Sequence, residues 1–227
     1  MNSLISNINT PFSALCEADL YARALSLSGK KIYDLVHELQ LLIPENPVES
    51  KGWLGRALEI YLGADAQNEA RPDFTALGIE LKTIPVDARA KPMESTYVTV
   101  VPLIHPGALE WRESTVYAKL QRVLWIPFEG RTDIPLSNRR FGYPVLWTPS
   151  VEQEAVLRAD WEELMEMVVL GQLESISAHW GSVLQIRPKG ANAKSLTSGI
   201  GPQGQRIKTL PRGFYLRTRF TEQILKL

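Results

Sequence analysis

The acidic and basic side chains of residues 73–83 have the types and spacing that phosphodiester hydrolysis requires. The segment reads DFTALGIELKT, so Asp73 is followed by Glu80 and Lys82. The i, i+2 spacing places Glu80 and Lys82 on one face of a predicted β-strand, and Asp73 can fold back beside them across the break at Gly78. Two carboxylates can hold a divalent cation beside a water nucleophile, and a lysine can assist there. The segment therefore predicts a metal-dependent site that hydrolyses phosphodiester bonds.

The same spacing has a second interpretation, in which Glu80 and Lys82 form a solvent-facing ion pair on the strand. An acid-x-lysine pattern is common at this composition, and the chain has another one at Glu49 and Lys51. That pattern lies in a turn rich in Pro, Ser and Asn, without an apolar strand to hold the charges in a fixed geometry. The strand-like surroundings favour residues 73–83 as the site, while spacing alone leaves the ion pair open.

Predicted helices and strands are mixed along the whole chain, which indicates a sheet combined with helices. Helical spacing of apolar residues predicts two helices within 14–43 and single helices at 52–62, 113–121 and 152–170. Alternating or continuous apolar runs predict strands at 77–86, 95–104, 123–128, 146–147, 183–187 and 213–216. The expected class is α/β or α+β with a central mixed sheet.

Length and composition indicate an ordinary globular protein. The 227 residues fit one domain or two closely joined lobes, and 44% of them are apolar and 22% charged. No apolar run reaches the roughly 18 residues of a membrane span, and the N-terminus lacks the pattern of a signal peptide. The single cysteine, Cys16, cannot form an internal disulfide. We therefore expect a cytoplasmic protein with no membrane partner.

The net charge is zero, but the charges are unevenly distributed. Residues 187–219 contain eight basic residues and no acid, whereas residues 152–166 contain six acids and one arginine. The basic stretch favours a local nucleic-acid surface, because it also carries Gly, Pro and an aromatic pair, and the alternative is two solvated faces that differ in sign. The predicted acidic helix at 152–170 also leaves two options open, since its apolar residues suit either a partner-docking surface or a contact with the core.

The sequence lacks the motifs of several other common kinds of active site. The histidines at 37, 105 and 179 do not have the spacing of metal ligands, so a zinc site is not expected. The chain has no Gly-rich phosphate loop that ends in Lys-Ser/Thr. It also has no Gly-x-Ser-x-Gly elbow, which argues against a serine hydrolase.

Seven blocks of the sequence together resemble the MutH family of DNA mismatch repair endonucleases. The longest block reads DFTALGIELKTIPVD at residues 73–87. The other blocks lie at 51–55, 58–64, 119–127, 160–165, 184–189 and 210–216. Their order and spacing agree with the family from about residue 20 to the end of the chain.

The resemblance implies a restriction-endonuclease-like α/β fold, with a mixed five-stranded sheet flanked by helices. It implies one endonuclease domain over residues 1–227, whose two flexibly joined arms form a DNA-binding cleft, and it implies a monomer. The implied activity is Mg²⁺-dependent nicking of the unmethylated strand at hemimethylated GATC sites, on the 5′ side of the guanine. The implied partners are double-stranded DNA containing GATC and the activator MutL, which acts after MutS has found a mismatch.

The resemblance also assigns roles to residues of this chain. The implied catalytic residues are Asp73, Glu80, Lys82, Glu59 and Lys119, with Asp73 and Glu80 as metal ligands. The implied DNA contacts are Lys51, Tyr97, Arg187, Pro188, Lys189 and Tyr215, and the family often has Phe at the position of Tyr97. The alternative role for Arg187 and Lys51 is a contact with phosphate alone. The alternative role for Tyr215 is that of a core residue in a strand.

Two further functions are compatible with these features. The first is a catalytically idle module that marks GATC for another enzyme, although such a binder has no reason to hold two acids next to phosphate. The second is a restriction enzyme that cuts both strands of the same site. Similar GATC restriction enzymes are longer and carry a second copy of the fold, and this chain has no second copy. The intact set Asp73, Glu80 and Lys82 favours the nicking endonuclease.

Overall fold

The structure of the protein is a computed structural model that describes residues 16–44, 52–66, 70–104, 110–177, 179–189 and 195–226. The α-helices in these ranges are α1 (Glu17–Leu25), α2 (Ile32–Glu38), α3 (Trp53–Leu62), α4 (Thr115–Leu120), α5 (Val151–Val169) and α6 (Thr218–Leu225). The strands are β1 (Glu80–Val86), β2 (Thr96–Val100), β3 (Val123–Glu129), β4 (Val145–Trp147), β5 (Leu184–Pro188), β6 (Thr197–Ile200), β7 (Arg206–Thr209) and β8 (Arg212–Leu216). The predicted mixed α/β class is confirmed.

The first sheet has the strand order β1-β3-β4 and carries the predicted chemical segment. Strand β1 runs parallel to β3, with Glu80 opposite Val123 and Lys82 opposite Trp125. Strand β4 pairs with β3 in the antiparallel direction. The side chains of Val123, Leu124 and Trp125 are all buried, which is the pattern of a strand covered on both faces. Strand β3 is therefore a buried strand of the core, and β1 is held in place by pairing with it.

The second sheet is antiparallel, with the strand order β2-β8-β5. Strand β2 pairs Tyr97 with Tyr215 and then shifts register, so that Thr99 pairs with Phe214. Val98 is the extra residue of this β-bulge, and its side chain is buried in the core. A bulge lets neighbouring side chains leave the strict alternation of a strand, and here the adjacent residues Val98 and Thr99 are both buried, while Tyr97 stays outside the core.

The strands are not hydrogen bonded into the single five-stranded sheet that the resemblance implies. They form the two three-stranded sheets and a β6-β7 ribbon within the described residues. After β1 the chain turns back, with a bridge between Val86 and Pro92 and a hydrogen bond from the Met93 amide to the Pro85 carbonyl. Proline cannot donate to a strand ladder, so Pro85 and Pro92 limit further pairing along this edge of β1.

The sequence-based assignment missed β6, β7 and α6. The two strands of the ribbon have four residues each and read TSGI and RIKT, so neither has an apolar run long enough to predict a strand. Helix α6 buries Phe220 and Ile224, which are one turn apart, while most of its other positions are polar. These elements are stabilised by contacts with distant residues, and a local pattern does not report such contacts.

Two hydrophobic clusters lie on opposite faces of the first sheet. One cluster packs Leu81 and Leu124 against α1, α2 and α3. The other packs Ile84 and Trp125 against α5, α6 and the second sheet. Residues 80, 82 and 84 alternate with 81 along β1, so the side chains of residues 80 and 82 point toward the second sheet.

Helix α5 contributes its apolar face to the core. Trp161, Met165 and Met167 are buried in the cluster between the two sheets, so their packing role is confirmed and they do not form an exposed docking surface. In the described part of the chain, no helix combines the length and apolar character that a membrane span requires.

Candidate active site

Strand β1 brings Glu80 and Lys82 together as the i, i+2 spacing predicts. The Nζ of Lys82 lies 2.5 Å from the Oε1 of Glu80. The Nζ of Lys119 lies 2.8 Å from Oε2 of the same carboxylate. Glu80 is only 2% exposed, so the alternative of a solvent-facing ion pair is wrong. A buried carboxylate without partners would strongly destabilise the fold, and here two ammonium groups compensate its charge.

The loop before β1 returns Asp73 to the same place. Phe74 and Ile79 form a bridge with a hydrogen bond in each direction, and Gly78 takes the left-handed conformation (φ 65°) that this tight return requires. The Oδ2 of Asp73 accepts a hydrogen bond of 2.8 Å from the Leu81 amide. The predicted fold-back of Asp73 onto β1 is therefore present.

Asp73 and Glu80 are close enough to influence each other electrostatically. Burial raises the pKa of Asp73 to about 6, and the charge of Glu80 adds to this effect. The hydrogen bond from Leu81 and the charges of Lys82 and Lys119 act in the opposite direction, and they are outweighed. The negative charges of Asp73 and Glu80 repel each other. A cation bound between them would relieve this repulsion, so the pair is a suitable place for one.

The oxygen atoms of these two carboxylates are suitable ligands for a divalent metal ion. Hard cations such as Mg²⁺ take oxygen ligands and are often held by one or two carboxylates, with water completing the shell. Within the described residues, no group of three or more His, Cys, Asp or Glu side chains converges on one point. The candidate site is thus of the two-carboxylate kind, with Asp73 and Glu80 as the groups that would hold the ion.

Lys119 reaches the site from the end of a short helix. Ser114 is the N-cap of α4, and its Oγ accepts a hydrogen bond from the Tyr117 amide. The Lys119 ammonium donates to the Arg71 carbonyl at 3.0 Å as well as to Glu80. Lys119 therefore ties the loop that carries Asp73 to the carboxylate on β1.

Two adjoining cavities form a cleft along β1. The larger, of about 720 Å³, extends from α3 to Tyr215, and the smaller, of about 510 Å³, contains Asp73 and Lys119 in its wall. The two cavities share as wall residues Glu59, Leu81, Lys82, Tyr97 and Lys189. The structure thus brings Glu59 into the same cleft as the β1 residues, as expected.

Two tyrosine rings and Lys189 line the larger cavity, and a second cation, Arg187, flanks them. The ring centroids of Tyr97 and Tyr215 are 5.4 Å apart in an edge-on arrangement. The Nζ of Lys189 lies 3.6 Å from the centroid of Tyr97, and the Cζ of Arg187 lies 5.7 Å from that of Tyr215. Tyr215 is half-buried and outside both hydrophobic clusters, so it is not a core strand residue. We call these four residues the ring ladder.

The end of β5 positions the remaining DNA-contact candidates. Arg187, Pro188 and Lys189 are all exposed where β5 ends. Although Lys189 as a whole is exposed, its ammonium lies over the Tyr97 ring, and partial desolvation lowers the pKa of this group. The charge of Lys82 lowers it further, which indicates that both cations face the same cleft. Lys51 lies outside the described residues.

The sequence did not single out Ser95, Gln185 or Arg56. The Oγ of Ser95 accepts hydrogen bonds from Arg187 Nη1 at 3.3 Å and from the buried Gln185 Nε2 at 3.2 Å. Ser95 and Arg56 both line the larger cavity. The i, i+2 spacing of Gln185 and Arg187 on a predicted strand, and the i, i+3 spacing of Arg56 and Glu59 on a predicted helix, were available signals.

Comparison with known proteins gives one consistent family. A family model described as DNA mismatch repair enzyme MutH matches residues 62–160. A DNA mismatch repair protein MutH from Shigella boydii serotype 18 is 54% identical over 209 residues, which cover 92% of this chain and 91% of that protein. The DNA mismatch repair protein MutH of Escherichia coli strain K12 has the same identity over the same lengths. The chain therefore belongs to the MutH family of DNA mismatch repair endonucleases.

Proposed function

We propose that the protein nicks the unmethylated strand of hemimethylated GATC sites, on the 5′ side of the guanine, in a reaction that requires Mg²⁺ and is stimulated by MutL. MutS acts upstream by finding the mismatch. The observation that carries this proposal is the convergence of Asp73, Glu80, Lys82 and Lys119 in a cleft that is also lined by Tyr97, Lys189 and Tyr215. Membership of this nuclease family implies a divalent metal cofactor, and Mg²⁺ is our specific choice.

In this proposal Asp73 and Glu80 hold the cation. When bound, the ion supplies Lewis-acid activation of the scissile phosphate and of a water molecule. Lys82, which lies against Glu80, orients the attacking water by donating a hydrogen bond to its oxygen. Lys119 offsets the negative charge that builds up on the phosphate oxygens in the transition state. Glu59, in the wall of both cavities, holds a further water on the same side of the cleft.

The ring ladder is the proposed base-reading surface. Arginine can donate two parallel hydrogen bonds to the O6 and N7 of guanine in the major groove, which suits Arg187. Tyr215 and Tyr97 offer faces against which an adenine with or without an N6 methyl group would pack. Lys189, Pro188 and Lys51 complete the proposed DNA contacts. A methyl group recognised by packing or steric exclusion alone contributes only about 1–3 kcal/mol of discrimination.

We further propose that the protein acts as a cytoplasmic monomer made of one endonuclease domain with two arms. One active site in a monomer cuts one strand per encounter, which is consistent with nicking. The described residues contain one set of Asp73, Glu80 and Lys82. Both strands would be cut together only if two copies of the chain met at the same site.

The proposal is tested by a strand-resolved assay on a duplex with one GATC site. The duplex is prepared in unmethylated, hemimethylated and fully methylated forms, and each form is incubated with and without Mg²⁺ and MutL. We expect nicks only in unmethylated strands, only with Mg²⁺, and faster with MutL. Binding of GATC without cleavage of any form under all these conditions would instead favour an idle module that marks the site.

A further inference from the structure

Arg56 lies on the side of α3 that lines the cleft. It precedes Glu59 by three positions, so both side chains occupy neighbouring positions on one face of the helix. Arg56 contributes to the wall of the larger cavity together with Lys82 and Lys189. Its side chain is exposed, so the guanidinium is accessible to anything that occupies this cavity.

The guanidinium of Arg56 forms no hydrogen bond or ion pair with any residue that the structure describes. Glu59 is the natural partner, because i, i+3 pairs of opposite charge on a helix are within reach of each other, yet this pair is not formed. Some other exposed arginines pair locally, and Arg158, for example, lies 2.7 Å from Glu162 on α5. Arg56 therefore directs an uncompensated cation toward the cleft.

A nucleic acid backbone is the anion that fits this position. The guanidinium is planar, permanently charged and able to donate two parallel hydrogen bonds to a phosphate. The wall of the larger cavity holds three basic side chains, Arg56, Lys82 and Lys189, against two acidic ones, Glu59 and Glu94. Lys82 is paired with Glu80, so Arg56 and Lys189 are the cations of this wall that can meet a polyanion. The ring ladder lies on the second sheet, whereas Arg56 lies on α3, so Arg56 belongs to the other structural wall of the cleft.

We infer that Arg56 is a DNA-binding residue that contacts a backbone phosphate and adds affinity without adding sequence specificity. This inference rests on the proposed function, since it requires DNA to bind in the cleft. A phosphate contact raises the affinity for any duplex by a similar factor, whereas a base contact raises the affinity for one sequence. The two kinds of contact are therefore separable by measurement.

The test compares the wild type, Arg56→Gln and Arg112→Gln in the absence of divalent ions. Arg112 is also an exposed arginine, but it lines neither cavity, so its replacement controls for the loss of one positive charge. Dissociation constants are measured over a series of salt concentrations for a hemimethylated GATC duplex and for a duplex of equal length without GATC. Thermal unfolding of each variant is recorded as a check of folding.

We expect Arg56→Gln to bind both duplexes about tenfold more weakly, with a salt slope that is smaller by about 1. Arg112→Gln should match the wild type, and Arg56→Lys should recover the slope. Unchanged affinity and slope in Arg56→Gln, or a loss confined to the GATC duplex, would overturn the inference while leaving the proposed function intact. A wild type that binds neither duplex, both without divalent ions and with Ca²⁺ in place of Mg²⁺, would overturn the proposed function itself, and the inference with it.

Discussion

The ammonium of Lys119 lies 2.8 Å from the Oε2 of Glu80, although the two residues are 39 positions apart in the chain. Lys82 contacts the other oxygen of the same carboxylate. Both oxygens of Glu80 are therefore paired with ammonium groups in the metal-free protein. A metal ion that binds Glu80 would share the carboxylate with these lysines or displace one of them, so Lys119 influences both the folded state and the proposed chemistry.

Replacement of Lys119 by Met should remove nicking and reduce stability. The substitution leaves the buried Glu80 with one partner and removes the donor to the Arg71 carbonyl. Loss of partners by buried polar groups costs roughly 1–3 kcal/mol of the free energy of unfolding, which urea denaturation measures. Lys119→Arg keeps the charge and should retain most of the stability. A Lys119→Met protein with wild-type single-turnover nicking would contradict the role proposed for Lys119.

Replacement of Asp73 by Asn should stabilise the metal-free protein at neutral pH. Burial first, and the charge of Glu80 second, raise the pKa of Asp73 from 3.8 to about 6, so the folded state binds the proton more tightly than the unfolded state. The contribution of Asp73 to stability is therefore full at low pH and is lost as the pH rises through about 6. Asn stays neutral and can keep the hydrogen bond from Leu81.

The stability difference between Asp73→Asn and the wild type should consequently grow between about pH 4 and about pH 7 in a chelating buffer. Urea unfolding at several pH values measures it. Addition of Mg²⁺ should narrow the difference at neutral pH, because a ligand of the folded state stabilises only the protein that binds it. A difference that is the same at every pH would show that the ionisation of Asp73 does not set it.

Replacement of Ser95 by Ala should reduce the specificity for GATC more than it reduces DNA affinity. Ser95 holds the guanidinium of Arg187, so its removal allows Arg187 to adopt more orientations. We expect the ratio of GATC to non-GATC affinity to fall several-fold, with unspecific binding unchanged. Ser95→Thr, which keeps a hydroxyl, should restore the ratio. Equal losses on both duplexes would exclude a positioning role.

Replacement of Gly213 by Ala should displace the two rings of the ring ladder. A Cβ at residue 213 would lie 2.8 Å from Cε2 of Tyr97 and 3.1 Å from Cε2 of Tyr215, which is too close for carbon atoms. The rings would have to move, so discrimination between methylated and unmethylated duplexes should decrease in a competition nicking assay. Thermal unfolding controls for loss of the fold, and unchanged discrimination would remove the rings from the proposed base-reading surface.

The sequence predicts best the part of the candidate site that one strand and its preceding loop build. Asp73, Glu80 and Lys82 lie within ten positions, and strand periodicity together with a glycine return brings them together. The contacts of Lys119 with Glu80 and of Ser95 with Arg187 join different elements, and no local spacing reports them. The family resemblance assigns roles to Lys119 and Arg187. No local signal predicts the role of Ser95, and the i, i+3 spacing of Arg56 and Glu59 does not by itself show that Arg56 lines the cleft.

In our proposal Asp73, Glu80 and Lys82 form the cation-dependent centre of a nicking endonuclease. The most direct test compares the wild type and Asp73→Ala in two measurements on the same hemimethylated GATC duplex, namely nicking with Mg²⁺ and binding without it. We predict that Asp73→Ala loses nicking and binds the metal-free duplex as tightly as the wild type or more tightly, because one repulsive carboxylate is gone. Nicking by Asp73→Ala at the wild-type rate would contradict the claim.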